Sequence, residues 1–232
     1  MGRPARFTHA QLQAAALRLL DREGASGLSM RSLAAELGTS AMTLYNYVPQ
    51  REAVDLLVIE AVLAEVAWAP GPYATWRDEV HAIATALWRT VRAHPHAIPL
   101  ILTRRSRAPA MFEVLEALLA ALARSGRSGA RLLVAFRAIS ALVTGLAQAE
   151  LAGPLSLQAA ESAEETIARF RALPADRFPH LIDTASAAIG STPEDEFRAS
   201  LDLLLAGLAC DPAPAGGNAA ARPRASGSRL RF

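Results

Sequence analysis

Apolar residues along this chain recur every three or four positions, the spacing that places them on one face of an α-helix. The first segment opens with Thr8 and Gln11 at the spacing of a helix capping box. No segment alternates apolar and polar residues in the manner of a half-buried strand. The pattern therefore predicts an all-α protein.

Capping residues, glycines and prolines divide this pattern into segments. Helices are predicted over residues 8–24, 29–38, 40–48, 50–67, 75–93, 98–102, 109–123, 130–152, 180–189 and 193–209. Residues 156–173 are predicted to be amphipathic or partly mobile. The Pro70-Gly71-Pro72 interruption separates a domain at 1–67 from a larger one at 68–210. Residues 211–232, rich in Pro, Gly, Ala, Ser and Arg, are predicted to be disordered.

Residues 29–51, SMRSLAAELGTSAMTLYNYVPQR, combine two short helical segments separated by a glycine turn. Ser29 is suited to cap the first segment and Ser40 the second, and Gly38 lies between them. The second segment carries hydroxyl, phenol and amide side chains, and Arg51 follows it. A helix-turn-helix that places one helix in the major groove of DNA has this composition.

The first turn of the second segment is expected to face the base edges. Ser40, Ala41 and Met42 are short enough to let the helix approach the groove closely. Asn46 can read adenine or can face solvent, and the sequence leaves both alternatives open.

A second set of residues is expected to bind the DNA backbone. Thr43 and Tyr45 would hydrogen-bond phosphates and fix the register without reading sequence. Tyr47 and Arg51 would hold the backbone beyond the helix.

Charge and cysteine content narrow the class of protein. The net charge is +2, but residues 1–51 hold six arginines against three acids, which suits a polyanion-binding end. A single cysteine, Cys210, cannot form an internal disulfide and fits a reducing cytoplasm. His94 and His96 flank Pro95 without a neighbouring acid or cysteine in the sequence, so no metal site, cofactor or catalytic constellation is predicted.

Two helices carry apolar stripes that can pack against a second helix. One stripe lies in 130–152 and the other in 193–209, and each can face either the core or a second copy of the chain. The stripes comprise Leu132, Phe136, Ile139, Val143, Leu146, Phe197, Leu201, Leu204 and Leu208.

Residues 8–66 resemble the TetR family of bacterial transcriptional regulators through the stretch LQAAALRLLDREGASGLSMRSLAAELGTSAMTLYNYVPQREAVDLLVIE. Two later stretches, WRDEVHAIATALWRTVRAHP and EFRASLDLLLAGLA, resemble the tetracycline-repressor-type ligand-binding domain. The resemblance implies a three-helix DNA-binding domain joined by helix four to a larger helical domain for ligand binding and dimerisation. It also favours dimer contacts for the two stripes and places Arg31 where relatives reach a guanine.

The ligand pocket is expected among the helices between residues 75 and 152. The candidate lining residues are Trp88, Leu102, Arg104, Phe112, Leu115, Phe136 and Gln148. Thr103 and Arg104 resemble a pair near the tetracycline site of the family's namesake. Leu100 stands where that repressor has a metal-coordinating histidine, so a magnesium–tetracycline ligand is not expected.

The sequence therefore predicts a cytoplasmic homodimeric repressor that a small-molecule effector releases from a palindromic double-stranded DNA operator. Two alternatives remain: a helical adaptor of the same fold without DNA binding, and a small all-α enzyme. The effector, the operator sequence and the choice between inducer and co-repressor are not encoded in any recognisable motif.

Overall fold

A computed structural model describes residues 7–104, 108–152 and 162–210. Within these ranges the chain forms α-helices and one 3₁₀ turn and no strand, so the predicted all-α class is confirmed. The helices are α1 (His9–Gly27), α2 (Met30–Glu36), α3 (Ala41–Tyr45), α4 (Arg51–Ala64), α5 (Trp76–Ala93), α6 (Ile98–Arg104), α7 (Pro109–Ala123), α8 (Gly129–Ala152), α9 (Ala163–Arg171), α10 (Pro179–Ala187) and α11 (Pro193–Cys210). The 3₁₀ turn is Pro95–Ala97. The tail predicted to be disordered, 211–232, lies outside the described residues.

Local signals in the sequence set the helix ends of the N-terminal part. The Thr8 hydroxyl accepts a hydrogen bond from the Gln11 amide (3.2 Å), and the Gln11 side chain accepts one from the Thr8 amide (2.8 Å). Helix α1 is interrupted at Gly24, whose φ of +70° and ψ of −176° suit glycine. Ser29 and Ser40 cap α2 and α3, as their side chains predicted.

The first four helices share one apolar core. Leu20, Leu33, Leu44 and Val58 come from α1, α2, α3 and α4 respectively, and all four are fully buried. Burying a leucine or valine side chain stabilises the fold by about 1.5–3 kcal/mol. These contacts hold α2 and α3 at a fixed position on the α1–α4 pair.

A histidine joins this N-terminal part to the helices that follow. His94, between α5 and the 3₁₀ turn, hydrogen-bonds Asp21 of α1 through Nδ1 (2.9 Å) and Glu65 after α4 through Nε2 (2.8 Å). Burial lowers the pKa of His94, but the hydrogen bonds to Glu65 and Asp21 outweigh it and raise the pKa above its ordinary value. The ring of His96 lies over Gly24, where an added Cβ would be 3.2 Å from its Nδ1.

The larger part is organised around α5, which packs against α7, α8 and α11. Trp88 of α5 stacks on Phe197 of α11, with ring centroids 4.6 Å apart and planes 12° apart. Both side chains are fully buried. Helix α11 is thereby fixed to the body by an aromatic contact.

Four of the nine stripe residues predicted as a dimer contact are buried in the protein's own core, and a dimer contact through the other five stays a prediction. Ile139, Val143, Phe197 and Leu201 are buried within one chain, so they have no surface left for a partner. That part of the dimer prediction is corrected. The other five stripe residues are half-buried against the same core, namely Leu132, Phe136, Leu146, Leu204 and Leu208.

On the same two helices, some apolar residues next to the stripe positions are exposed. Val134 of α8 is 66% exposed and Leu203 of α11 is 77% exposed, and Leu133 is also exposed. Gly145 and Gly207, both exposed, have no atom within 4 Å of the place a Cβ would occupy. Small residues of this kind allow another helix to approach closely.

Helix α8 is also long and apolar enough to cross a membrane, with a mean hydropathy of 1.7 over Gly129–Ala149. Core helices of soluble proteins have the same length and composition. Because α8 packs against α5, α7 and α11, this property does not by itself indicate a membrane protein.

Candidate functional site

Helix α3 presents one face to solvent and one residue to the core. Leu44 is fully buried, whereas Met42 is 78% exposed and Tyr45 and Asn46 are exposed as well. The Ser40 hydroxyl accepts from the Thr43 amide (3.2 Å) and lies 3.0 Å from the Thr43 hydroxyl. Ala41 and Thr43 are half-buried. The exposed residues therefore form a short protruding surface on a helix that is capped at its start.

Arginines of the N-terminal part differ in whether an acid neutralises them. Arg18 and Arg22 bind Glu36 at 3.3 and 3.0 Å, and the hydrogen bond from Arg22 lowers the pKa of Glu36. Arg31, exposed at the start of α2, has no hydrogen bond or ion pair with any described residue. Its charge is available to an anion or to a guanine edge.

Arg51 makes two contacts within the fold. Its guanidinium donates to Asp55 (2.5 Å) and to the carbonyl of Leu28 (2.8 Å). Asp55 is buried, so Arg51 compensates a buried carboxylate and ties α4 to the link between α1 and α2. A phosphate contact stays a prediction for this residue, but it has to compete with these two partners.

Tyr47 is half-buried and packs its ring edge-on against Phe7, with centroids 5.8 Å apart. The aromatic ring thus helps to hold the start of α1 against the end of the helix-turn-helix. Its role as a backbone clamp stays a prediction.

A narrow cavity lies between α4, α5, α6, α7 and α8, with a volume of about 40 Å³ inside a wider depression of about 560 Å³ that opens to solvent. Its lining comprises Val62, Leu63, Val66, Leu87, Thr90, Val91, Ile101, Met111, Leu115, Leu118, Ile139, Ser140, Val143 and Thr144. Three of these residues belong to the end of α4 or follow it directly. The cavity therefore touches the helix that connects the N-terminal part to the rest.

Among the residues predicted to bind a ligand, Leu115 lines this cavity. Leu102, Phe112 and Gln148 are exposed, and Phe136 packs against the core. Trp88 is buried against Phe197. The side chain of Arg104 lies outside the described residues.

Residues 69–211 match the family model described as tetracyclin repressor-like, C-terminal domain. Residues 12–54 match the model of bacterial regulatory proteins, tetR family. The chain belongs to the TetR family. The resemblance inferred from the sequence is confirmed, and the family's members are transcriptional regulators rather than enzymes.

Curated relatives of this TetR-family chain match over part of their length. An HTH-type transcriptional regulator of Saccharopolyspora erythraea is 37% identical over 144 residues, covering 62% of this chain and 61% of that protein. The HTH-type transcriptional repressor DrrR1 of Streptomyces coeruleorubidus is 33% identical over 138 residues, covering 59% of this chain and 51% of that protein. The chain thus spans between half and two thirds of these two relatives.

A solved structure agrees over a longer range. The TetR-family protein ActR of Streptomyces coelicolor, in complex with (S)-DNPA, superposes with a TM-score of 0.74 at 27% identity. The superposition covers 89% of this chain and 98% of ActR. The TetR fold therefore extends through both parts of the chain.

Sequence reasoning missed most of the cavity of this TetR-type domain. Ile139 and Val143 were assigned to a dimer contact, and Ser140 and Thr144 were not singled out. Two hydroxyl residues four positions apart, in the otherwise apolar stretch 138–147 of α8, are the signal that could have found them.

Within the described ranges, no three histidine, cysteine, aspartate or glutamate side chains are grouped so that they could hold a metal ion. The contacts of His94 with Asp21 and Glu65 are hydrogen bonds that join two parts of the fold.

Proposed function

We propose that this protein is a ligand-responsive, sequence-specific DNA-binding regulator that represses transcription from a palindromic operator. The observation that carries the proposal is the exposed surface of Met42, Tyr45 and Asn46 on and just after the capped α3, together with Arg31 of α2, which forms no ion pair with a described residue. A helix-turn-helix reads base edges through side chains presented in this way. TetR-family regulators bind operator DNA and small-molecule ligands and form dimers.

Arg31 is the proposed base reader. A bidentate pair between an arginine and a guanine contributes about 1–3 kcal/mol of discrimination against other bases. The paired arginines of α1 cannot supply this interaction without giving up Glu36. Met42 can contact a thymine methyl group, because its exposed side chain is apolar.

Thr43 and Tyr45 are the proposed phosphate-binding residues. The Tyr45 side chain is exposed on α3, and the half-buried Thr43 follows the exposed Met42. Contacts of this kind set the register of the helix in the groove without reading the sequence.

A second copy of the chain is the proposed partner of the exposed face formed by Leu133, Val134 and Leu203. This face lies on α8 and α11, with Gly145 and Gly207 on the same two helices. A two-fold dimer built there would present two copies of α3 to the two half-sites of a palindrome. The dimer would act in the cytoplasm, where its operator lies.

The cavity beside α4 is the proposed effector site. ActR is a family member whose structure was solved with a small molecule bound, and the cavity here lies where the body meets α4. A ligand that moves α4 changes the position of the helix-turn-helix and hence the affinity for DNA. A hundredfold release requires about 2.7 kcal/mol of differential affinity.

The test is fluorescence anisotropy with DNA from the region upstream of the protein's own gene and with a scrambled duplex of equal length. Arg31→Ala is expected to weaken binding to the cognate duplex by roughly five- to 150-fold, with a much smaller loss on the scrambled one. Arg77→Ala, an exposed arginine of α5, is the matched control and should change neither.

Two outcomes would contradict the proposal. Equal losses on both duplexes would remove the base-reading role of Arg31. Absence of salt-sensitive binding at low ionic strength would favour an adaptor protein that keeps the fold without binding DNA.

A further inference from the structure

Every described side chain that lines the cavity is uncharged at neutral pH. Eleven are apolar, and the other three are the hydroxyl residues Thr90, Ser140 and Thr144. An ionic group placed among them would lose its hydration without gaining a counter-charge from the described lining, which makes its burial unfavourable. The lining therefore selects against carboxylates, ammonium groups and metal chelates.

Both threonine hydroxyls donate a hydrogen bond to a backbone carbonyl of their own helix. Thr144 donates to the carbonyl of Ser140 (2.9 Å), and Thr90 donates to the carbonyl of Ala86 (3.0 Å). A hydroxyl has one hydrogen and two lone pairs, so each threonine oxygen can only accept from a ligand while its own bond persists. The Ser140 hydroxyl can rotate to donate or accept.

The volume of the cavity limits what it can hold. A volume of about 40 Å³ holds only a few waters, since one water needs about 10–15 Å³ on this scale. Sites for drug-sized molecules measure about 300–1,000 Å³. A ligand larger than a few waters must therefore extend into the open depression of about 560 Å³ or move a wall.

The wall at Val62, Leu63 and Val66 is the one connected to DNA binding. Val62 and Leu63 lie at the end of α4, and Val66 follows it. Helix α4 packs on α1, and α1 packs on α2 of the helix-turn-helix. Displacement of this wall reaches α1 through the same helix.

We propose that the cavity takes a neutral, largely apolar small molecule that carries hydroxyl or N–H donors, which the Thr90 and Thr144 oxygens accept. The ligand class is inferred from the residues that line the cavity. The expectation that the ligand weakens DNA binding rests on the proposed function.

Three probes with the same naphthalene ring test the ligand class. Naphthol donates a hydrogen bond, methoxynaphthalene cannot donate one, and naphthoate is an anion. Binding to the full chain is measured by isothermal titration calorimetry, and release of the operator duplex by anisotropy. We expect naphthol to bind most tightly, methoxynaphthalene about two- to tenfold more weakly, and naphthoate not at all.

Thr144→Val keeps the shape of the side chain and removes the acceptor. It should weaken naphthol by about two- to tenfold and leave methoxynaphthalene unchanged. Thr85→Val is the matched control, because Thr85 lies on α5 and lines a neighbouring polar groove, which shares Thr90 with the cavity, but does not line the cavity itself. It should alter neither affinity.

The outcomes distinguish the ligand class from the regulatory function. Naphthoate binding as tightly as naphthol, or no discrimination between naphthol and methoxynaphthalene, would overturn the ligand class. Failure of all three probes to bind would overturn it too. Naphthol binding that is sensitive to Thr144→Val but leaves the operator complex intact would uphold the ligand class and refute the role of the cavity in DNA release.

Discussion

The hydrogen bonds of His94 with Asp21 and Glu65 are expected to stabilise the fold by an amount that depends on pH. Both ring nitrogens of His94 face carboxylate oxygens, at 2.9 Å from Asp21 and 2.8 Å from Glu65. Only the protonated imidazolium can donate to both at once, because the neutral ring has a single N–H. Asp21→Asn and Glu65→Gln each remove one negative partner with little change in shape.

The expected loss of unfolding free energy depends on how exposed the two carboxylates are. A hydrogen bond to a charged group contributes about 1.5–3 kcal/mol. The side chains of Asp21 and Glu65 are 35% and 53% exposed, so solvent screening reduces each contribution to about 1 kcal/mol. The double variant should lose about 1–2 kcal/mol of unfolding free energy at pH 6, or roughly 2–8 °C in Tm.

The sign of the pH dependence follows from the raised pKa of His94. A group whose pKa is higher in the folded than in the unfolded state stabilises the fold fully below its unfolded pKa of about 6.5. That stabilisation is lost as the pH rises through the folded value. The cost of the double substitution should therefore shrink between pH 6 and pH 9.

Urea denaturation of the wild type and the double variant at pH 6 and pH 9 measures this difference. His180→Gln is the control, because His180 is exposed on α10 and has no hydrogen bond or ion pair with a described residue. An equal cost of the double substitution at both pH values, or none at pH 6, would refute this role of the His94 imidazolium.

Three further predictions concern stability and assembly. Arg51→Ala should lower the unfolding free energy by about 1–3 kcal/mol in urea denaturation; unchanged stability with weaker binding to every duplex would instead support a phosphate clamp. Leu203→Asp should yield monomers in light scattering, whereas Ile189→Asp, at an exposed apolar residue outside the proposed face, should not; a dimeric Leu203→Asp variant would exclude that face. Gly24→Ala should cost about 1–3 kcal/mol by thermal unfolding, because its backbone conformation is strained for any other residue; an unchanged Tm would contradict this.

The helix ends could be predicted because their signals are local. The Thr8 and Ser29 caps depend on residues within one turn, and both appear in the structure. The orientation of α8 could not be predicted in this way, because apolar residues occur around most of its circumference. Leu132 and Leu133 are neighbours in sequence, yet the first packs against the core and the second is exposed. Tertiary packing, rather than periodicity, decides between them.

Residues of the candidate site also differ in whether a local pattern could predict their positions. The exposed residues of α3 followed from the helix-turn-helix pattern, since Leu44 had to face inward. The partners of Arg51 and His94 did not follow, because Leu28 and Asp21 are brought to them only by the fold. Asp55, four residues after Arg51 on the same helix, was a local signal that could have indicated the ion pair.

The short α3 has a consequence for how DNA preference can change over time. Of its five residues, Leu44 alone is fully buried. Substitution of Met42 or Tyr45 would therefore leave the core intact and cost little stability. Related genes could drift toward new operators through a few surface changes on one helix, while selection for folding acts on the rest of the domain. The exposed residues of α3 can therefore diverge while the buried residues that stabilise the domain stay the same.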